Sequence, residues 1–321
     1  MDLTPPDATA AAVAAGPAAG GGAVARLAPG PDGLDRDTRC DLRRREKEIA
    51  RQFHSSSWAY GVFAVCGFAV WLSFFPLAIA GLLNLPLAFV AATALIIAVY
   101  LAGHEAMHGN IGRRGEKLYW LNELAGFVST IPIALSFGAA RITHLEHHRH
   151  CNDPLKDPDF SDQAPGPLAA WYKTWYNRQP GVDGSVHHYK RVLKNLGTPE
   201  ATRALYGTLV LQIVFLATLF TMAWTGHAIA AALIWWLPRH LALSWIRFYF
   251  SWAPHHPRQG RSGRYDNSRI FRSRLGRVLT FETETHLVHH LYPNIPNHRT
   301  RAAYFALKPI LAARGVDVSP L

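Results

Sequence analysis

The sequence has few cysteines and a low content of charged residues. Its three cysteines, Cys40, Cys66 and Cys151, are scattered and form no CxxC pair, so neither a disulfide framework nor a built-in iron–sulfur module is expected. GxSxG, P-loop and GxGxxG motifs are also missing, which leaves nucleophilic hydrolysis and phosphate binding without support. Charged residues make up only 17% of the 321 residues, against 49% hydrophobic ones. This composition is typical of a membrane protein.

Two long stretches contain no Asp, Glu, Lys or Arg, namely residues 52–104 and 204–238. Because a helix needs ~20 apolar residues to cross a bilayer, each stretch indicates two membrane spans joined by a tight turn. The predicted spans cover about 57–80, 85–103, 204–224 and 228–250. The fourth carries Arg239 and His240, whose polar groups must be shielded by protein or water.

A shorter apolar segment covers about 119–137. It is interrupted by Ser129, Thr130 and Pro132, so it predicts a half-buried or re-entrant helix rather than a fifth full span. Together these segments predict an all-α membrane protein with four transmembrane helices and one half-buried helix.

The net charge of +11 invites a nucleic-acid interpretation, but the basic residues flank the apolar segments. They are concentrated before the first span, between the second and third, and after the fourth, and the two short turns near residues 84 and 226 have none. By the positive-inside rule both termini and the central region are therefore cytoplasmic. We expect an integral protein of the inner (plasma) membrane with a cytoplasmic helical cap and no nucleic-acid partner.

The N-terminus differs in composition from the rest of the chain. Residues 1–35 are rich in Ala, Gly and Pro, have almost no large apolar side chain and are predicted to be disordered. Residues 36–52 turn basic and predict a helix at the membrane surface. The domain prediction is a disordered tail at 1–35 and a membrane domain at 36–321.

Eight histidines form three clusters at the ends of the predicted spans or beyond them. On a helix, positions three and four apart share one face, so each cluster aims its imidazoles at one place. Imidazole is a ligand for iron, zinc, copper and nickel, and this many imidazoles suit two metal ions. The clusters are HxxxH at His104 and His108, HxxHH at His144, His147 and His148, and HxxHH at His286, His289 and His290.

Two other interpretations of the histidines have to be weighed. Residues 104–108 also spell HExxH, in which Glu105 would be the general base of an intramembrane zinc protease; this uses one cluster and leaves the two HxxHH clusters unexplained. A metal transporter is the second alternative, but transport sites usually lie near the middle of the bilayer. The three clusters lie at or beyond the span ends.

The order of these features resembles the membrane fatty acid desaturase and hydroxylase superfamily. Two spans precede HxxxH, HxxHH lies in the following cytoplasmic segment, and two more spans precede the last HxxHH. The resemblance runs from about Leu101 to Gly315. Within the superfamily, three stretches resemble the cyanobacterial-type β-carotene hydroxylases: residues 144–159, residues 254–257 and residues 286–296.

The resemblance implies two iron ions, O2 as oxidant and electrons from a separate carrier such as ferredoxin. It also implies a ninth histidine ligand soon after the last span, where His255 stands. Ser251 departs from acyl-CoA desaturases, which carry an asparagine there that contacts a metal through water. His256 departs from the carotenoid enzymes, which carry arginine.

The expected function is O2-dependent oxidation of a lipid-soluble substrate, with hydroxylation of a carotenoid as the first interpretation and desaturation of a fatty acyl lipid as the alternative. Beyond the metal ligands, the sequence identifies no catalytic residue. Four carboxylates are candidate hydrogen-bond partners of the ligating imidazoles, although the aspartates could equally form Pro-braced turns. They are Glu105, Asp153, Asp157 and Asp159.

Overall fold

The computed structural model describes residues 33–179, 181–257, 260–273, 275, 279–280 and 282–321. Of the predicted disordered tail, residues 1–35, the part up to residue 32 is outside the residues that the structure describes. In the described part the structure is helical, without strands. Leaving aside single 3-10 turns, the helices are α1 (Arg36–Arg51), α2 (Trp58–Ile79), α3 (Leu85–Met107), α4 (Tyr119–Thr130), α5 (Phe137–His150), α6 (Pro167–Tyr176), α7 (Ser185–Leu196), α8 (Pro199–Trp224), α9 (Ala228–Trp252), α10 (His286–Leu291) and α11 (Asn297–Ala313).

Two compact units divide the chain, Met1–Asp41 and Leu42–Leu321. In the first unit, Asp35 begins α1, since its carboxylate accepts hydrogen bonds from the backbone N–H of Thr38 at 2.9 Å and from the Thr38 hydroxyl at 2.7 Å. The second unit contains all four long apolar helices and the three histidine clusters.

Four described helices, α2, α3, α8 and α9, are long and apolar enough to cross a membrane, which confirms the prediction of four spans. The turns between them have the expected chemistry. The Asn84 side chain accepts from the N–H of Leu87 at 3.0 Å and caps α3, and Gly226 adopts φ 87° after α8, a conformation that glycine allows at little cost.

The spans pack around aromatic side chains. The indole N–H of Trp71 on α2 donates to the carbonyl of Ile234 on α9 at 3.2 Å, and Trp71 meets Trp235 edge to face at 5.3 Å between ring centroids. Gly103 of α3 allows α4 to approach, since a Cβ there would lie 2.7 Å from the Ser129 Cβ. This contact lies one residue before the first histidine cluster.

The predicted half-buried helix is α4, and it ends deep among the spans. The turn that follows it exposes backbone carbonyls that an apolar surrounding could not hydrogen-bond. Side chains of α8 and α9 donate to them, which also explains how Arg239 is accommodated in a span. The pairs are Trp235 with Pro132 at 2.8 Å, Arg239 with Ile133 at 2.9 Å, and Gln212 with Ala134 at 2.6 Å.

Beyond one end of the spans, α10 and α11 form a separate apolar core with Ile49, Ala50 and Phe53 of the second unit. The buried carboxylate of Glu46, in the part of α1 that belongs to the same unit, is tied to this region. It accepts from the hydroxyl of Tyr292 at 2.7 Å and from that of Tyr265 at 2.7 Å. Because Tyr292 follows the third histidine cluster by two residues, this contact helps to fix the position of α10.

Candidate metal centre

The first histidine cluster lies at the C-terminal end of α3. His104 is only 2% exposed, and among the described residues neither of its ring nitrogens has a hydrogen-bond partner. His108 follows one turn later, and its Nε2 lies 2.8 Å from the Nε2 of His144. A buried imidazole without a partner is costly unless something else binds it, so His104 is a fitting metal ligand.

The second and third clusters lie on α5 and α10, as the spacing predicted. His144 and His148 are one helical turn apart, and their Nε2 atoms lie 3.1 Å apart. The Nε2 of His148 also lies 3.1 Å from that of His289 on α10. On α10 itself, the Nε2 atoms of His286 and His290 are 3.1 Å apart.

The predicted ninth histidine, His255, joins the same cluster. Its Nε2 lies 3.3 Å from the Nε2 of His147, and its ring centroid lies 4.8 Å from that of His290. The neighbouring His256 instead stacks on Trp252, with centroids 4.7 Å apart. The structure therefore brings His255, and not His256, to the histidines of the three clusters.

The ring nitrogens of His147 and His255 provide a test of whether this cluster fits a cation. The Nδ1–H of His147 donates to Asp157 at 2.8 Å, and the Nδ1–H of His255 donates to the carbonyl of Asn267 at 2.9 Å. These partners assign the proton to Nδ1 in both rings. The two Nε2 atoms then face each other at 3.3 Å, a contact that needs a proton or a metal ion between them. The residues fit a metal ion.

Potential metal-ligand atoms form two groups, and within each group all the atoms lie within 4.8 Å of one another. One holds four histidines, and the other three histidines and Cys151. Cys151 lies on the wrong side of His255, because its Sγ is 3.3 Å from the Nδ1 that donates to Asn267 rather than near the Nε2 that faces His147. We therefore do not count Cys151 as a ligand. The groups are His104, His108, His144 and His289, and His147, Cys151, His255 and His290.

Burial sets the protonation of most of the cluster. It lowers the pKa of His148, His289 and His290, and the neighbouring histidines lower it further. These rings are therefore neutral, which is the form that binds metal. Burial alone would lower the pKa of His147, but the charge of Asp157 and its hydrogen bond raise it to about 9. Binding of a metal ion at His147 would therefore release the Nε2 proton of this ring.

Of the four candidate carboxylates, Asp157 is the one the structure places against a boxed histidine. Its Oδ2 also accepts from the N–H of Asn152 at 2.7 Å, and its Oδ1 from that of Asp159 at 2.9 Å. Asp153 is different, since it caps the N–H groups of Leu155 and Lys156 in an exposed turn. The acidic tract, residues 152–159, thus contains both a histidine partner and a Pro-braced turn.

Asp159 binds a different set of groups. It accepts from Arg247 at 2.9 Å, from the Ser251 hydroxyl at 2.9 Å and from the Tyr189 hydroxyl at 3.1 Å. Arg247 also pairs with Asp162 at 2.5 Å. Ser251, which departs from the acyl-CoA enzymes, therefore has a polar partner in this buried ion network.

Glu105 does not point toward the histidines. Its Oε1 accepts from the N–H of Asn297 at 2.8 Å, at the start of α11, and its Oε2 accepts from the Ser57 hydroxyl at 3.1 Å. The general base of an HExxH protease must face the water bound to its metal. This geometry does not fit a protease; instead Glu105 joins α3 to α11.

Sequence reasoning missed the partner of His255, the carbonyl of Asn267. A backbone carbonyl has no signature in the sequence, and the sequence does not show which part of the chain after His255 folds back onto its ring. The Arg247 network was also missed, although an arginine between aromatic residues at the end of an apolar segment is a usable signal for a buried ion pair.

Comparison with known proteins decides the family. The model of the family described as Fatty acid desaturase matches residues 80–320. The chain belongs to the fatty acid desaturase family. It is therefore an enzyme, an O2-dependent oxidoreductase acting on lipids, and its four spans make it an integral membrane protein. Metal dependence is a property of the family, and two groups of histidines in this chain could hold a metal ion.

Curated relatives of this desaturase-family chain include enzymes of two kinds. It is 23% identical over 287 residues to the sn-1 oleoyl-lipid 12-desaturase of Anabaena variabilis, covering 83% of this chain and 80% of that protein. It is 23% identical over 256 residues to the sn-2 acyl-lipid omega-3 desaturase (ferredoxin) of Helianthus annuus, covering 70% of this chain and 56% of that protein. It is 24% identical over 244 residues to the beta-carotene ketolase of Haematococcus lacustris, covering 72% and 67%.

Proposed function

We propose that the chain binds two iron ions through nine histidines and uses them to oxidise a lipid with O2. The observation that carries this proposal is the opposed Nε2 atoms of His147 and His255 at 3.3 Å, within a buried set of imidazoles from four chain segments. Imidazoles hold iron while leaving coordination positions open, and bound iron would supply the reductive activation of O2. The proposed ligands are His104, His108, His144, His147, His148, His255, His286, His289 and His290.

The chain's own residues orient these ligands and exclude water from them. Asp157 and the carbonyl of Asn267 fix the rings of His147 and His255 with Nε2 inward. On the side of the spans, Phe250 packs edge to face on His104 with centroids 5.3 Å apart. Tyr100 in turn packs on Phe250 at 5.9 Å. Aromatic side chains of the spans thus line the metal ligands on this side, which suits an apolar substrate that arrives from the lipid phase.

For the substrate, we favour a carotenoid whose β-ionone ring gains a hydroxyl group. The support is the tract 152–159, which resembles the carotenoid hydroxylases and which holds His147 through Asp157, together with the carotenoid ketolase among the relatives. The reaction consumes O2, two electrons and two protons, and it yields the alcohol and one water. A separate carrier such as ferredoxin would supply the electrons, as the name of the Helianthus relative records for that enzyme.

Desaturation of an acyl lipid is the second candidate. It is favoured by the Anabaena desaturase, to which the chain aligns over 83% of its own length. Both reactions need the same histidines, so the metal site does not distinguish them.

The orientation proposed for the chain puts the histidine cluster and both termini on the cytoplasmic side of the plasma membrane. The support is the basic residues that flank the spans and are absent from the two short turns. The division into a tail at 1–35 and a desaturase-like membrane domain at 36–321 remains a prediction.

Product masses test the substrate. The full chain is expressed in cells that make β-carotene and in cells that contain only ordinary lipids, with His289→Ala as the inactive control. We expect carotenoids that have gained one oxygen and unchanged acyl chains. Ketolation would add one oxygen and remove two hydrogens, and desaturation would remove two hydrogens only. New acyl double bonds with no oxygenated carotenoid would contradict the carotenoid proposal and favour the second candidate.

A further inference from the structure

The helix α6 exposes a row of large apolar side chains although it is none of the four spans. Leu168, Tyr172 and Trp175 are 85%, 62% and 49% exposed. They recur every three or four residues and so share one face of the helix. On the opposite face, Ala170 and Thr174 are buried. Aromatic side chains of this kind are enriched where proteins meet the interface of a membrane.

Three contacts show that α6 runs antiparallel to the end of the fourth span. Before α6, the carbonyl of Ala164 accepts from the indole N–H of Trp252 at 3.0 Å. Midway, Trp171 stacks on Phe248 with centroids 5.2 Å apart. After α6, Arg178 contacts the span one to two turns earlier still. It donates to the carbonyl of His240 at 3.1 Å and to Ser244 Oγ at 2.9 Å.

The depth of each contact in the membrane follows from its position along the fourth span. An α-helix rises ~1.5 Å per residue, so Trp252 lies roughly 37 Å from the turn that begins the fourth span and residues 240–244 lie roughly 20–25 Å from it. The hydrocarbon core is ~30 Å thick. The start of α6 is therefore at the membrane surface, while its end is ~5–10 Å inside the hydrocarbon.

The charged groups of α6 are arranged as immersion requires. The Lys173 ammonium reaches back toward the surface end, where it donates to the carbonyl of Gln163 at 2.7 Å, as lysines do when they snorkel. At the deep end, the Arg178 guanidinium is turned inward, and it donates to the carbonyl of Thr174 as well as to the fourth span. Neither charge lies on the face that carries Leu168, Tyr172 and Trp175.

We propose that α6 is a membrane-penetrating half-helix whose apolar row begins at the membrane surface with Leu168 and reaches the acyl chains of the bilayer with Tyr172 and Trp175. The occupant of this face is lipid, because α6 packs against the part of the fourth span that also exposes the apolar side chain of Leu241. This inference goes beyond the proposed function and does not depend on it, since neither the metal nor the substrate enters the argument. It places bilayer lipid beside residues 240–247 of the fourth span, just before Phe250, which packs on His104.

Spin labels on the full chain in lipid nanodiscs test this. The exposed cysteines Cys40 and Cys66 are replaced by serine, the buried Cys151 is kept, and a label is placed in turn at residues 168, 172 and 175. We expect the labels at residues 172 and 175 to collide more with O2 than with a water-soluble nickel chelate, and the label at residue 168, near the membrane surface, to show a smaller excess of O2 collisions. The depth derived from the two collision rates should increase by ~10 Å from residue 168 to residue 175, since seven residues of helix span that length.

Two further label positions calibrate the result. Leu216, exposed on the third span, is the lipid reference, and Leu155, exposed in the acidic tract, is the water reference. Labels on α6 that behave like Leu155 would overturn the proposal. Labels that collide with neither reagent would show a protein partner on this face, and equal depths at all three positions would show a helix lying flat on the surface. Either result would also overturn it.

Discussion

The hydrogen bond between Asp157 and His147 gives the most specific prediction. The Asp157 carboxylate accepts from His147 Nδ1 at 2.8 Å and from the N–H groups of Asn152 and Asp159 at 2.7 and 2.9 Å. Asp157→Ala removes all three bonds. Asp157→Asn keeps the shape but turns one oxygen into a donor, which must then face an N–H group.

The expected loss follows from these contacts. Removing the carboxylate partner of a ligating histidine typically costs ~10–100-fold in metal affinity, which corresponds to ~1.4–2.8 kcal/mol. We place Asp157→Ala near the upper end, because the ring of His147 would lose its orientation. Asp157→Asn should lie near the lower end, because its amide oxygen can still accept from Nδ1 of His147.

Competition with a soluble iron chelator measures the effect as the chelator concentration that removes half of the iron. The matched control is Asp153→Asn in the same acidic tract, because Asp153 caps two exposed N–H groups and its charge acts on His150, which belongs to none of the three clusters. The control should retain iron like the unmodified chain. If Asp157→Ala also retained iron like the unmodified chain, or if Asp153→Asn lost as much as Asp157→Ala, the proposed orientation of His147 would be refuted.

Three further predictions concern individual residues. His255→Ala should be inactive and iron-poor by metal analysis, while His256→Ala, which loses a stack on an indole and a backbone hydrogen bond, should keep measurable activity; the reverse pattern would reassign the ninth ligand. Glu105→Gln should keep its iron and its lipid-oxidising activity, but its melting temperature should fall because the contacts of this side chain with α11 weaken. Proteolysis that depends on Glu105 would revive the protease interpretation. Cysteine labelling from outside the cell should reach a cysteine placed at Asn84 but not one at Lys156, and the opposite result would reverse the proposed orientation.

The sequence was sufficient for the parts of the fold that depend on local periodicity. Uncharged stretches of more than thirty residues identified the spans, and histidines three and four positions apart identified helical faces that the structure brings together. For the spans and the three clusters, the signal lies in residue type and separation along the chain. The choice of His255 over His256 came instead from the family resemblance.

What the sequence could not provide depends on contacts between distant segments. The roles of Glu105 and Glu46 depend on partners that lie 192 and 246 residues away, and neither carboxylate has a local pattern that identifies them. The helix α6 was missed as a membrane element because its ten residues are too few to cross a bilayer and include Lys173. Its depth becomes visible only once the contacts with the fourth span are known.

Metal analysis of the purified full chain tests the central claim most directly. Iron and zinc are measured per chain by mass spectrometry after reconstitution with ferrous iron, for the unmodified chain and for His147→Ala and His289→Ala. Since imidazole-rich sites with open positions suit iron, we predict about two irons per unmodified chain, with iron content and activity falling together in both variants. A single zinc per chain, or full activity with zinc alone, would contradict the di-iron centre.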